Sequence, residues 1–349
     1  MFICIVKGLC IFISGNISHM KKLTNYLLTA AIAGVFFSCS ENSTERDSEG
    51  LKAQLNAAVI NKASLASVGI SNWMSALQDN VSLSQISVPG THDSGATVEF
   101  PSGTAKTQNL TIAEQLNIGV RFLDIRCRHI DDSFAIHHGP VYQKLNFDDV
   151  LNAVYAFLDS HPTETVIMSV KEEYNASNTT RSFEKTFDAY VQKNPSKWDL
   201  GNSIPKLGDI RGKIRLLRRF PAETKPKGID ATNWADNTTF EISNDSPVKV
   251  KVQDNYKVDN NDTKWSQIQS ILTEAKADTS GKLFINFTSG YKPLIFGIPS
   301  IPTVSNAINP KLKTFFQSST QGSYGILPID FISAELAEPI VKTNFSNNP

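Results

Sequence analysis

From about residue 70 onward, short apolar or β-branched runs alternate with segments whose apolar positions recur at helical spacing, the pattern of βα units around a parallel sheet. Eight runs read as strands: Gln85–Val88, Arg121–Cys127, Ala135–His137, Thr165–Val170, Lys213–Arg218, Val248–Gln253, Lys282–Phe287 and Tyr324–Ile329. Between the first two, Thr111-Ile112-Ala113-Glu114 has capping-box spacing, with Ile112 and Leu116 on one face and Gly119 at the exit, which predicts a helix of about two turns. Asp148–Ser160 lines up Val150, Leu151, Val154, Phe157 and Leu158 and stops before Pro162, and Asp262–Ala277 does the same with Trp265, Ile268, Leu272 and Ala275. The connections 219–247 and 288–310 carry no clear helix. The expected architecture is therefore α/β, a distorted (β/α)8 TIM barrel forming one catalytic domain over residues 70–349.

In such barrels the active site lies at the C-terminal ends of the strands. His92 and Asp93 follow the first run, Asp124 and Arg126 end the second and His138 the third, while Lys171 and Glu173 follow the fourth. Arg219 follows the fifth, Asp254 and Tyr256 the sixth, and Asp330 the eighth. Ionisable side chains thus converge on one rim.

The segment before the barrel has a different character. Met20-Lys21-Lys22 precedes an apolar, small-residue stretch from Leu23 to Ser38 and then Cys39. That pattern is a signal peptide of bacterial lipoprotein type, with Cys39 as the lipidated residue and Met20 as an alternative start. The expected product is exported, and membrane-anchored through Cys39 or otherwise secreted; a retained transmembrane helix is the competing reading. Residues 1–39 are then leader, and the polar, acidic stretch after Cys39 opens a flexible tether over 40–69.

Composition removes some partners. Lysine plus arginine equals aspartate plus glutamate at 34 each, so bulk attraction to nucleic acid is not expected and a charged ligand must be held locally. Three of the four cysteines precede residue 40, leaving Cys127 alone in the barrel and excluding a disulfide framework.

The rim chemistry suits phosphodiester cleavage. That reaction needs a base for the attacking hydroxyl, an acid for the leaving oxygen and a cation for the phosphoryl charge. His92 and His138 provide the proton groups, with Asp93 and Asp330 as available carboxylate partners, and the planar fork of Arg126 suits two phosphoryl oxygens. Asp124 and Arg126, two apart, share one strand face; on residue type alone they serve equally well as a structural ion pair. The carboxylates Asp93, Asp124, Glu173, Asp254 and Asp330 could hold a divalent cation, but Arg126 stands where the ion would sit, so no metal and no other cofactor is expected. His137, His129 and His161 read as structural.

Ser87-Val88-Pro89-Gly90-Thr91-His92-Asp93-Ser94-Gly95, Leu123-Asp124-Ile125-Arg126, His137-His138-Gly139-Pro140 and Val252-Gln253-Asp254-Asn255-Tyr256-Lys257-Val258 together resemble the bacterial phosphatidylinositol-specific phospholipases C, in order and over about residues 84 to 332. The resemblance implies a metal-independent, monomeric enzyme acting on phosphatidylinositol at a membrane surface, with glycosylated anchors as a second possible substrate. It also implies attack of the inositol 2-hydroxyl on phosphorus, giving diacylglycerol and inositol 1,2-cyclic phosphate. On that basis His92 is the general base backed by Asp330, His138 the general acid assisted by Asp93, Arg126 the cation replacing calcium, and Asp124 its supporting carboxylate. Lys171, Arg219 (rather than Arg218), Asp254 and Tyr256 would contact the inositol ring. The chain departs from the family at Cys127, where glycine is common, and in lacking a tryptophan in the loop Ala96 to Gln108. Leu294, Ile295, Phe296, Ile298 and Ile301 either replace it as an apolar rim or cover the core. A metal-dependent phosphodiesterase of glycerophosphodiesters or sphingolipids, and a headgroup-binding lipoprotein without turnover, are the alternatives.

Overall fold

The computed structural model describes residues 68–243 and 248–345. The expectations for the leader, for Met20 and Cys39 and for most of the tether lie outside those residues. The strands are β1 (Val88–Thr91), β2 (Phe122–Ile130), β3 (Ser133–His138), β4 (Val141–Asn146), β5 (Val166–Glu172), β6 (Trp198–Asp199), β7 (Ile214–Arg219), β8 (Ile229–Asp230), β9 (Thr239–Ser243), β10 (Lys249–Gln253), β11 (Leu283–Asn286), β12 (Lys292–Pro293), β13 (Pro299–Ser300) and β14 (Ile326–Ile329). One sheet runs β6-β7-β5-β2-β1-β14-β11-β10-β9. Its central pairs, β7 with β5, β5 with β2, β2 with β1, β1 with β14, β14 with β11 and β11 with β10, are all parallel. β9 lies antiparallel on β10, and no ladder among the described residues joins it to the β6–β8 end, so the barrel is distorted and incompletely closed.

Side-chain alternation along these strands builds the interior. On β2, Leu123, Ile125 and Cys127 pack outward with the helices, whereas Phe122 joins the inner cluster formed with Ile167, Leu217, Val250, Ile285 and Ile326. The period of two then places Asp124 and Arg126 on the inner side above Phe122. Ser169 and Lys171 follow Ile167, and Arg219 follows Leu217, in the same way. The barrel is thus apolar at one end of its lumen and charged at the other, and the register Arg126–Lys171–Arg219 across β2, β5 and β7 sets three cations side by side.

The helices are α1 (Ile112–Asn117), α2 (Phe147–Ser160), α3 (Phe183–Lys193), α4 (Leu207–Ile210), α5 (Asn261–Ala277), α6 (Ile301–Gln317) and α7 (Ala334–Lys342). The capping box forms: the Glu114 amide donates to Thr111 Oγ1 at 3.3 Å, and the Thr111 amide to Glu114 Oε2 at 2.8 Å. The expected apolar stripe of α2 is buried throughout, and in α5 Ile268, Leu272 and Ala275 are buried with Trp265 packed against the core.

Three expectations need correction. The first strand begins at Val88 and includes Pro89 and Gly90, because the missing side chain of Gly90 lets Phe122 of β2 come close; a Cβ there would stand 2.9 Å from the Phe122 Cβ. The third run is no barrel strand but the antiparallel return of a hairpin on β2, with Cys127 opposite Ile136. Residues 301–310 are helical, the start of α6, whose Pro302 occupies the first turn, where no amide partner is needed.

Candidate active site

Seven of the residues singled out above, His92, Arg126, His138, Lys171, Arg219, Asp254 and Tyr256, line one cavity of about 600 Å³ at the C-terminal end of the parallel strands. Asp93, Asp124 and Asp330 are buried behind them.

β1 and β14 pair Thr91 with Ile329, so the next residue of each strand, His92 and Asp330, emerge side by side. His92 Nδ1 lies 2.8 Å from Asp330 Oδ1, and Asp330 Oδ2 accepts the Gly290 amide at 3.3 Å. The carboxylate accepts from Nδ1–H, which leaves Nε2 of the neutral ring free as an acceptor toward the cavity.

His138 reaches the same cavity along the hairpin. Its Nδ1 is 2.6 Å from the Ala105 carbonyl, which can only accept, so Nδ1 carries the proton. Asp93 Oδ2, the partner expected from the resemblance, stands 3.8 Å away, beyond hydrogen-bond reach. Burial lowers the His138 pKa; the Ala105 bond opposes that and Arg126 adds to it. Both Asp93 oxygens are buried without a hydrogen-bond partner, and burial, against the pull of Arg126, pushes this carboxyl up to about 7.

Arg126 lies among carboxylates: Nε is 3.1 Å from Asp124 Oδ2 and 4.0 Å from Asp93 Oδ2, and Nη1 is 3.9 Å from Glu173 Oε2. Burial disfavours its charge, yet Asp124, Asp93 and Glu173 hold the guanidinium above its ordinary pKa. In return, and against their own burial, Asp124 is held well below the usual carboxylate range by Arg126 and Arg219, and Glu173 at about 2 by Arg126 and Lys171. Among the described residues no group of three or more His, Cys, Asp or Glu side chains is arranged to hold a metal ion.

The opposite wall is polar and aromatic. Arg219 lies over the Trp234 ring at 3.6 Å, and its Nε and Nη1 are buried without hydrogen-bond acceptors. Arg218, by contrast, spends its donors on the Lys227 and Phe220 carbonyls. Trp234 Nε1 donates to Asp254 Oδ2 at 2.9 Å, and Tyr256 Oη donates to Asp236 Oδ1 at 2.7 Å, a bond that pushes the phenol up to about 12. Lys171 Nζ donates to Glu173 Oε2 at 3.0 Å, and burial, then Arg126, lower its pKa. Buried Lys264, on α5, ties the strand ends together by donating to Gln253 Oε1 and to the Asn255 and Phe287 carbonyls at 2.7–3.0 Å.

Trp234, Asp236 and the Ala105 carbonyl were not foreseen, and Glu173 was placed on the rim without a role. The first two lie in the 219–247 connection, where no periodicity marks them; Glu173 was legible as the residue two beyond Lys171.

Comparisons with known proteins bear on the family and the fold. Residues 83–220 match the family model described as phosphatidylinositol-specific phospholipase C, X domain. A 1-phosphatidylinositol phosphodiesterase of Staphylococcus aureus is 34% identical over 278 residues, covering 74% of this chain and 88% of that protein. The protein of the same name from Listeria monocytogenes is 32% identical over 300 residues, covering 82% and 89%. A solved variant of the phosphatidylinositol-specific phospholipase C from Staphylococcus aureus superposes with a TM-score of 0.73 at 32% identity, over 80% of this chain and 98% of that one.

Proposed function

Since the chain belongs to the phosphatidylinositol-specific phospholipase C family, we propose that it cleaves phosphatidylinositol by intramolecular attack of the inositol 2-hydroxyl on phosphorus, without a metal. One arrangement carries this reading: His92, Arg126 and His138 face a single cavity whose far wall is Lys171, Arg219, Asp254 and Tyr256.

His92 Nε2 takes the 2-hydroxyl proton while Asp330 holds Nδ1–H and stabilises the imidazolium that forms. The hydroxyl oxygen bonds to phosphorus, and the bond from phosphorus to the glycerol oxygen breaks. His138, protonated on both nitrogens, gives its Nε2 proton to that oxygen and keeps the Nδ1 proton on Ala105. The products are diacylglycerol and inositol 1,2-cyclic phosphate, and nucleophile and phosphorus start within one molecule, which lowers the entropic barrier. Arg126, kept charged by three carboxylates, meets the phosphoryl oxygens, a cation in the position where a divalent ion would otherwise act. The cation of Arg219 and the acceptor Asp254, both lining the cavity, suit ring hydroxyls, and the face of Tyr256 suits the ring itself.

The substrate reaches the cavity from a lipid surface. The β12–β13 hairpin carries Leu294, Ile295, Phe296 and Ile298 in the open, with Phe296 97% exposed, while Gly297, Pro299 and the following Ile301 line the cavity. An apolar tip at the mouth of a charged cavity fits an enzyme that dips into lipid while drawing in a headgroup.

Phosphorus NMR of phosphatidylinositol vesicles incubated with the protein and a chelator tests this, with a five-membered cyclic phosphate signal expected. Activity that disappears with chelator and returns with calcium would exclude the metal-free route, and acyclic inositol phosphate as the first product would exclude intramolecular attack. In the same assay Phe296→Ser should slow cleavage in vesicles by roughly tenfold, about 1.4 kcal/mol of lost apolar insertion, and leave a monomeric short-chain substrate unaffected. Equal losses on both substrates would refute the lipid role of the hairpin.

A further inference from the structure

The loop between β1 and α1 carries more than a connection needs. Its Thr104 lines the cavity, and its Ala105 carbonyl accepts the Nδ1 proton of His138. A backbone carbonyl is only as well aimed as the peptide that bears it, and this peptide belongs to no helix or strand. What aims it is one carboxylate oxygen: Glu99 Oε1 accepts the amides of Thr104, Ala105 and Lys106 at 3.0, 3.0 and 3.3 Å. Three consecutive N–H groups converging on an anion form a concave nest, which fixes the orientation of the intervening peptides. The outer end of the loop is pinned as well, since the Ile301 amide donates to Gly103 O at 3.0 Å and Thr104 Oγ1 to Pro101 O at 2.7 Å. The inner end returns to the other histidine, where Gln108 Nε2 donates to His92 O at 3.0 Å and Thr107 Oγ1 to Asp93 O at 2.9 Å.

We propose that Glu99 is a positioning residue for the proton-donating step: by gathering the amides of residues 104–106 it aims the Ala105 carbonyl at His138 and so holds that ring in the Nδ1–H tautomer with Nε2 toward the leaving oxygen. The inference rests on the reading of His138 as general acid. Glu99 touches neither substrate nor histidine. Its influence passes through the peptide, and it requires an acceptor oxygen rather than a negative charge.

The test compares the full chain with Glu99→Ala, Glu99→Gln and His138→Ala, by steady-state kinetics on phosphatidylinositol and by nitrogen-15 NMR of the histidine rings. In the wild type, above its titration, His138 should carry its proton on Nδ1. In Glu99→Ala, kcat should fall by about tenfold with KM little changed, a partial loss of a general-acid contribution of roughly 10²–10⁴, and the His138 ring should become a mixture of tautomers. Glu99→Gln retains an acceptor oxygen and should restore both readouts most of the way. The proposal is overturned by a wild-type His138 protonated on Nε2, a result that needs no variant to fold. A Glu99→Ala enzyme within twofold of normal, a loss of activity without a change in the His138 signals, or a glutamine variant as impaired as the alanine one would overturn it equally. An active His138→Ala enzyme would instead remove the acid reading itself, whatever the Glu99 variants do.

Discussion

His92 leaves the end of β1 and meets Asp330 at the end of the neighbouring parallel strand, while His138 ends a hairpin strand and hangs from the carbonyl of a loop residue. The first partnership is set by ladder register, Thr91 opposite Ile329, and cannot drift without unzipping two buried strands. The second is set by a loop and depends on the Glu99 nest. The partners also differ in charge. A carboxylate stabilises the imidazolium formed when a base takes up a proton, whereas a neutral carbonyl holds one proton in place without lending the ring a charge partner. With burial and Arg126 both lowering its pKa, His138 gives up its other proton readily. The two histidines are therefore unequally held, in the sense that the proposed pairing of His92 as base with His138 as acid requires.

The harshest way to break the comparison is to remove each ring. His92→Ala and His138→Ala should each cost roughly 10²–10⁴ in kcat/KM, with circular dichroism unchanged because both side chains border the cavity rather than the core. The pH profiles should then separate them: the limb belonging to His138 lies below the ordinary histidine value of about 6.5, so cleavage falls as pH rises through it, and that limb should be absent in His138→Ala. If both variants stayed near full activity, the roles assigned to these rings would be wrong.

Asp330→Asn sharpens the contrast. The amide keeps a hydrogen-bonding group 2.8 Å from Nδ1 but cannot stabilise an imidazolium, and it can invert the preferred tautomer. A fall of about 10²-fold in kcat, smaller than removal of the ring, is expected. A drop no larger than that of Glu99→Ala would show that the carboxylate contributes nothing beyond placement, and the two supports would then be equivalent.

The carboxylate-backed half was the more legible from sequence. Strand runs, the α2 and α5 stripes and the Thr111 capping box are local patterns, and position at or just past the C-terminal end of a strand is enough to bring His92 and Lys171 to the cavity, with Asp330 buried behind them. Strand direction is not a local pattern, so the hairpin that carries His138 read as another barrel strand. Pro89 and Gly90 looked like a strand end because their compatibility depends on a non-local neighbour, Phe122. The start of α6 was hidden by Pro310, which argues against a helix interior locally although packing of Ile301, Val304 and Ile308 sustains one. Ala105 could not be foreseen because a carbonyl has no residue-type signature. Arg219 over Arg218 follows from alternation, since Leu217 faces the lumen.

Asp93 is the subtlest test of the asymmetry, because it sits nearer His138 than His92 yet is hydrogen-bonded to neither. Its folded pKa of about 7 lies above the ordinary value of 3.8, so between these limits the native chain holds a proton that the unfolded chain has released. Stability contributed by this group is therefore full below about pH 4, declines as pH rises toward 7 and stays reduced above it, by on the order of 2–4 kcal/mol. Asp93→Asn removes the titration. Unfolding of both proteins in urea at pH 5 and pH 8 should show the variant gaining on the wild type at the higher pH, with most of the gap opening between 5 and 7. A gap independent of pH would mean that Asp93 is ionised throughout, held by Arg126 at 4.0 Å. In that case His138 would have an ionised carboxylate 3.8 Å from its Nδ1, and the contrast with His92 would rest on geometry alone.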